Sequence, residues 1–151
     1  MVFPSASVST TAGGAGGSQR VIAAVNPDTL QRKILPVAEA NDAVISADGK
    51  TLYFVRFGLG VTNDNARGYR GGALSQLWRF DLTSDAEAVR IGPKDVNLRR
   101  PMLAGERLLV IADSDGRDAV AQLDPATGAL TPLPVSRTFD VRSASASGQR
   151  V

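Results

Sequence analysis

Apolar residues in this chain fall into short runs, each closed by glycine, proline, asparagine or aspartate. The pattern predicts strands at Val21 to Val25, Gln31 to Val37, Asp42 to Ser46, Thr51 to Phe57, Leu77 to Leu82, Ala88 to Ile91, Val96 to Leu103, Arg107 to Ala112, Asp118 to Leu123 and Ala129 to Pro134. Almost no stretch keeps helical spacing for ten residues, so the fold class is all-β. Asn26-Pro27-Asp28-Thr29 and Asp48-Gly49 have the composition of tight hairpin turns. In Leu108-Leu109-Val110-Ile111 both faces are apolar, which predicts a strand buried on both sides. Phe139 to Ser143 reads as one more strand, followed by a turn at Ser147-Gly148-Gln149 and the start of another strand at Arg150-Val151. Residues 1–20 read either as a flexible Ser/Gly-rich segment or as the end of a preceding unit.

The strands repeat. Asp81 and Asp124 close strands 43 positions apart, and the turn glycines Gly105 and Gly148 are also 43 apart. One step earlier, Asn26 to Asp81 is 55 and Gly49 to Gly105 is 56, the excess falling in the long loop from Gly58 to Gly72. A period near 43 with four short strands per unit is the signature of β-propeller blades, which cannot bury both faces alone and stack around an axis. Closure takes about four to eight blades. The chain holds about three, incomplete at both ends, and is expected to be part of a larger propeller; in isolation, with unpaired edges exposed, it is expected to be poorly folded or to aggregate.

Composition then narrows the chemistry. There is no histidine and no cysteine, which removes a Ser-His relay, thiolate nucleophiles and Cys/His zinc sites from this chain. Gly13 to Gly17 lacks the lysine, hydroxyl residue and helix of a phosphate loop. Asp113-Ser114-Asp115-Gly116-Arg117-Asp118 lacks the regular acid spacing of a calcium loop and is explained as a turn, so neither a metal nor a cofactor is expected. Lysines and arginines total 17 against 15 acids, and the arginines alternate with the acids along the chain. That is not the clustered footprint of a nucleic-acid binder. No run has the length of a membrane span or the layout of a secretory signal.

Two hairpins, Ser46-Ala47-Asp48-Gly49-Lys50-Thr51-Leu52-Tyr53-Phe54 and Ile111-Ala112-Asp113-Ser114-Asp115-Gly116, resemble those of TolB-like propeller repeats. More specific are Tyr69-Arg70-Gly71-Gly72 before Leu77-Trp78, Arg100-Pro101-Met102 before the buried strand, and Thr138-Phe139-Asp140-Val141-Arg142 before Gly148-Gln149-Arg150-Val151. Together these resemble the six-bladed propeller of tricorn protease and its bacterial homologues from Val21 to Val151. Met1 to Gln19 has no match, and Ala121 replaces a usual aromatic.

The resemblance implies a large, homo-oligomeric, ATP-independent cytoplasmic serine peptidase. Its propellers gate or channel peptides, while its nucleophile lies in separate downstream peptidase and PDZ domains. The partners implied are peptides, the remaining blades and those domains. No catalytic residue is expected in this chain. Tyr69 and Arg70 on the long loop, and Arg99 and Arg100 before the buried strand, are candidates for peptide contact, because arginine forks onto carboxylates and tyrosine offers an apolar face. The competing readings are a loop that packs on a neighbouring blade and a solvated strand end. Trp78 is expected to anchor the core between blades. The alternative function is a stand-alone TolB-like periplasmic propeller that binds proteins. A third is the propeller of a prolyl-oligopeptidase-like enzyme.

Overall fold

The computed structural model describes residues 5–10, 20–26, 28–56, 74–114, 116–134 and 140–151. They form β1 (Ser5–Thr10), β2 (Arg20–Val25), β3 (Arg32–Ala38), β4 (Ala40–Ile45), β5 (Thr51–Arg56), β6 (Gln76–Asp81), β7 (Val89–Ile91), β8 (Asn97–Ala104), β9 (Arg107–Asp113), β10 (Asp118–Leu123) and β11 (Leu130–Pro132). Consecutive strands pair antiparallel into three sheets, β1-β2-β3, β4-β5-β6-β7 and β8-β9-β10-β11. This is the expected stack of propeller blades, open at both ends. Within Met1 to Arg20, Ser5–Thr10 is laddered to β2 throughout, from Ser5 opposite Val25 to Thr10 opposite Arg20.

The repeat seen in the sequence has a hydrogen-bond basis. At the turn between the last two strands of each sheet, one side-chain oxygen accepts from backbone N–H groups just ahead of it. Asn26 Oδ1 accepts from Asp28 at 2.9 Å, Asp81 Oδ1 from Thr83 at 2.8 Å, and Asp124 Oδ1 from Ala126 at 2.8 Å. Such side-chain-closed turns are what short polar residues offer in place of a ladder. Thr83 Oγ1 and Thr127 Oγ1 add hydroxyl donors at 2.6 and 2.8 Å.

The second repeat marker is the hairpin glycine. Gly49, Gly105 and Gly148 have φ of 72°, 63° and 59°. Around Gly148, Ser147 and Arg150 form an isolated bridge. This small hairpin is tied to the third sheet, because Gly105 N donates to Gly148 O at 2.6 Å and Arg107 Nη2 to Gln149 O at 3.1 Å.

Apolar side chains fill the spaces between sheets. The first core joins Ile22, Ala24 and Leu35 of the first sheet to Leu52 and Phe54 of the second. The second core joins Val55 and Leu77 to Leu98, Leu108, Val110 and Leu123 of the third sheet. A third, on the far side of the third sheet, holds Met102, Leu109 and Val120 under Leu133, Val141, Ala144 and Ala146. Strand alternation explains how one strand serves two cores: Leu52 and Phe54 point one way, Tyr53 and Val55 the other. β9 is buried from Leu108 to Asp113, as its two apolar faces require.

The predicted strand at Phe139 to Ser143 is not observed among the described residues 140–143. Val141 N instead donates to Asp118 O at 2.8 Å, and Val141 packs against the third core. Its apolar side chain is thus satisfied by lying across a sheet face.

Contacts between sheets gather at the first-strand edge. β4 lies against β8 and against β1 and β2, and β8 also touches β5 and β6. The sheets therefore converge at β4 and β8, the edge that faces the axis in a propeller.

Candidate functional site

β4 and β8 each carry a bulge, and the two bulges bring the candidate charges together. On β4 the register shifts between Ala40 and Asp42, and on β8 between Arg99 and Met102. A bulge inserts residues without partners, so the alternation of faces changes across it. On β8, Leu98 before the bulge faces the second core, while Met102 and Ala104 after it face the third. Arg100 occupies the bulge with φ of 50° and precedes Pro101. Positive φ in a non-glycine residue is held only where the surroundings impose it, and costs of order 1–3 kcal/mol.

The two neighbouring arginines part company here. Arg99, half-buried, pairs with Asp118 of β10, reaching across β9 within its own sheet. Arg100 crosses to the second sheet, where its Nε lies 3.9 Å from Asp42 Oδ2 of β4. At that distance the pair is ionic without a hydrogen bond. Asp42 Oδ2, Arg99 Nε and Arg100 Nε are buried and lack a hydrogen-bond partner among the described residues. Burial pushes the Asp42 carboxyl above its ordinary value, while the Arg100 charge and the Ala43 N–H pull it back.

These groups open into a cleft of about 420 Å³ lined by Asp42, Val44, Arg100, Met102, Leu103 and Ala144. Its walls come from the first strands of two sheets and from the segment that follows the third. An apolar cleft with one loosely engaged ion pair can accept an extended polypeptide, whose apolar side chains meet Val44 and Met102 and whose polar groups complete the pair.

Tyr69 and Arg70 lie outside the described residues. Of the other candidates, Arg99 is engaged within its own sheet and Arg100 faces the cleft. Asp42 and Asp118 did not emerge from the sequence as partners of these arginines. Pro101 inside a strand was the available sign of a bulge at Arg100. No local pattern marks Asp42, whose partner is 58 positions away.

No curated protein matches the chain. Among solved structures, it is similar to the β-propeller domain of the Trilobed protease from Pyrococcus furiosus, described as having an open velcro topology, with 20% identity and a TM-score of 0.53. The match covers 83% of this chain and 37% of that one. It supports the fold. A family model for the tricorn protease N-terminal beta propeller domain matches residues 5–151, and so includes Ser5–Thr10 within the stretch that the sequence resemblance left out. With nearly its whole length matched and its sheets stacked as propeller blades, the chain belongs to the tricorn protease N-terminal β-propeller family.

Proposed function

We propose that this chain is the non-catalytic propeller segment of a tricorn-like cytoplasmic serine peptidase, and that it guides peptides along its axial edge to a catalytic centre outside these residues. The observation that carries the reading is the axial cleft, with Arg100 held at a bulge beside Asp42. A strained residue kept at a concave surface is a common mark of a binding position. The lack of histidine agrees with chemistry carried elsewhere. Arg100 meets the peptide carboxylate or backbone carbonyls, and the apolar wall takes side chains without selecting strongly among them. The homo-oligomer and the PDZ and peptidase domains belong to the same proposal.

The test is steady-state hydrolysis by the full-length polypeptide carrying Arg100→Asn, which keeps a residue tolerant of positive φ. For peptides long enough to span the cleft, kcat/KM is expected to fall about tenfold, whereas a short fluorogenic reporter is unaffected. Equal losses on both substrates, or no peptidase activity in the unaltered polypeptide, overturn the reading.

A further inference from the structure

The first and second sheets part on the side away from the axial cleft and leave a groove of about 840 Å³, within the range of small-ligand clefts of roughly 300–1,000 Å³. Its floor is apolar and aromatic, made by Leu35 and Val37 of β3 with Phe54, Trp78 and Phe80 of the second sheet. At one end Arg56 is already committed. Its Nε donates to Ala38 O at 3.1 Å, and its guanidinium lies 4.8 Å from the centre of the Trp78 ring. The indole N–H of Trp78 is given to Gln76 Oε1 at 3.3 Å. The aromatic floor is thus held in place.

The wall opposite β3 is residues 84–88, the turn between β6 and β7, and it carries two carboxylates, Asp85 and Glu87. Both are exposed, and among the described residues neither makes an ion pair. Lys33 stands on the β3 wall, also exposed and also without an ion pair among the described residues. The free charge is therefore divided, with negative charge on the turn side and positive charge on the strand side, over a shared apolar floor. The anionic wall is the one with two free groups, and Lys33 repels a cation from the other.

We propose that this groove docks an extended segment of a partner protein in which one basic side chain is flanked by bulky apolar ones. The apolar residues cover Phe80 and Trp78, and the basic side chain lies along the Asp85 and Glu87 wall. This site is separate from the axial cleft and does not depend on it.

The experiment uses the full-length polypeptide labelled with 5-fluorotryptophan, the Trp78 resonance being assigned through Trp78→Phe. The probe is a fluorescein-labelled short peptide with one arginine between leucine and phenylalanine residues, set against the same peptide with glutamate in place of arginine. The arginine peptide is expected to raise fluorescence anisotropy on binding and to shift the Trp78 fluorine signal. Asp85→Asn with Glu87→Gln, both exposed positions that spare the fold, should weaken it about fivefold or more, each exposed pair being worth up to about 1 kcal/mol. Arg100→Asn should leave it unchanged. The proposal is overturned by absence of binding, equal affinity for the glutamate peptide, affinity indifferent to the double substitution, or a Trp78 signal that stays fixed on binding. It is also overturned if that signal moves with protein concentration alone, which would make the groove a contact between copies.

Discussion

The two spaces between successive sheets are built from the same repeat, yet one is sealed at its outer side and the other is open. Between the second and third sheets, Gly128 stands so close to the chain that a Cβ on it would lie 3.2 Å from Gly92 N. A Cβ on Gly92 would in turn meet Leu98 Cδ1 at 2.7 Å. At this point backbone lies directly against backbone. Between the first and second sheets the matching turn carries Ser84, Asp85, Ala86 and Glu87 instead, and a groove remains beside Phe80 and Trp78. The outer side of each space thus depends on what one turn carries.

The largest expected effect comes from emptying the sealed space. Leu77, fully buried in the second core, should cost about 2–5 kcal/mol as Leu77→Ala, because the removed atoms leave a cavity that sheets on both sides hold open. Phe80→Ala at the open groove should cost clearly less, since the half-buried ring already meets solvent. Chemical denaturation of the full-length polypeptide measures both, and equal losses would mean that the groove is sealed in solution.

Next in size is the glycine contact. Gly128→Ala adds a Cβ against backbone at a φ of 75°, whereas Gly116→Ala meets nothing within 4 Å at a φ of 82°. The second change should cost only the conformational penalty of about 1–2 kcal/mol. The first should exceed it by about 1 kcal/mol or more, since backbone cannot step aside as a side chain can. If the two melt alike, close backbone approach does not seal the space.

The smallest effect separates turns from inner edge by pH. Hydrogen bonds from Ser46, Thr83 and the Ala126 N–H hold the carboxyls of Asp48, Asp81 and Asp124 below the ordinary value of 3.8. Their stabilisation is complete above 3.8 and is lost as pH falls through the lower folded values. Asp42 runs the other way, because its raised carboxyl takes up a proton more readily in the folded state, so stability is gained as pH falls through its raised value towards 3.8. Asp42→Asn removes that pH-dependent gain together with the charge opposite Arg100. Stability of the variant should therefore decline more steeply on acidification than that of the parent, in paired denaturation series from neutral pH to about 3.

Much of the architecture was legible because its markers are local. Asn26, Asp81 and Asp124 hydrogen-bond to backbone within three residues, so composition and spacing disclose them. The double-faced burial of β9 was equally plain from Leu108 to Ile111. What escaped depends on distance in sequence. Asp42 meets Arg100 only because two bulged strands from different sheets converge, and Asp118 takes Arg99 only because β10 lies two strands away. Trp78 was expected between blades. It does pack on the first core, but only half-buried, because its indole forms the floor of a groove beneath Arg56. Whether a space between blades stays open is settled by tertiary contacts such as Gly128 on Gly92, which no single stretch encodes.

The bulge on β8 has a mechanical side as well. Stacked repeats ordinarily couple only through their interfaces, so that an end unit can fray while the rest stands. Here a single strand sends Leu98 and Leu103 into the second core and Met102 and Ala104 into the third. Pulling on the segment that covers the third core therefore tugs the same strand that seals the second, and the blades should yield to force together.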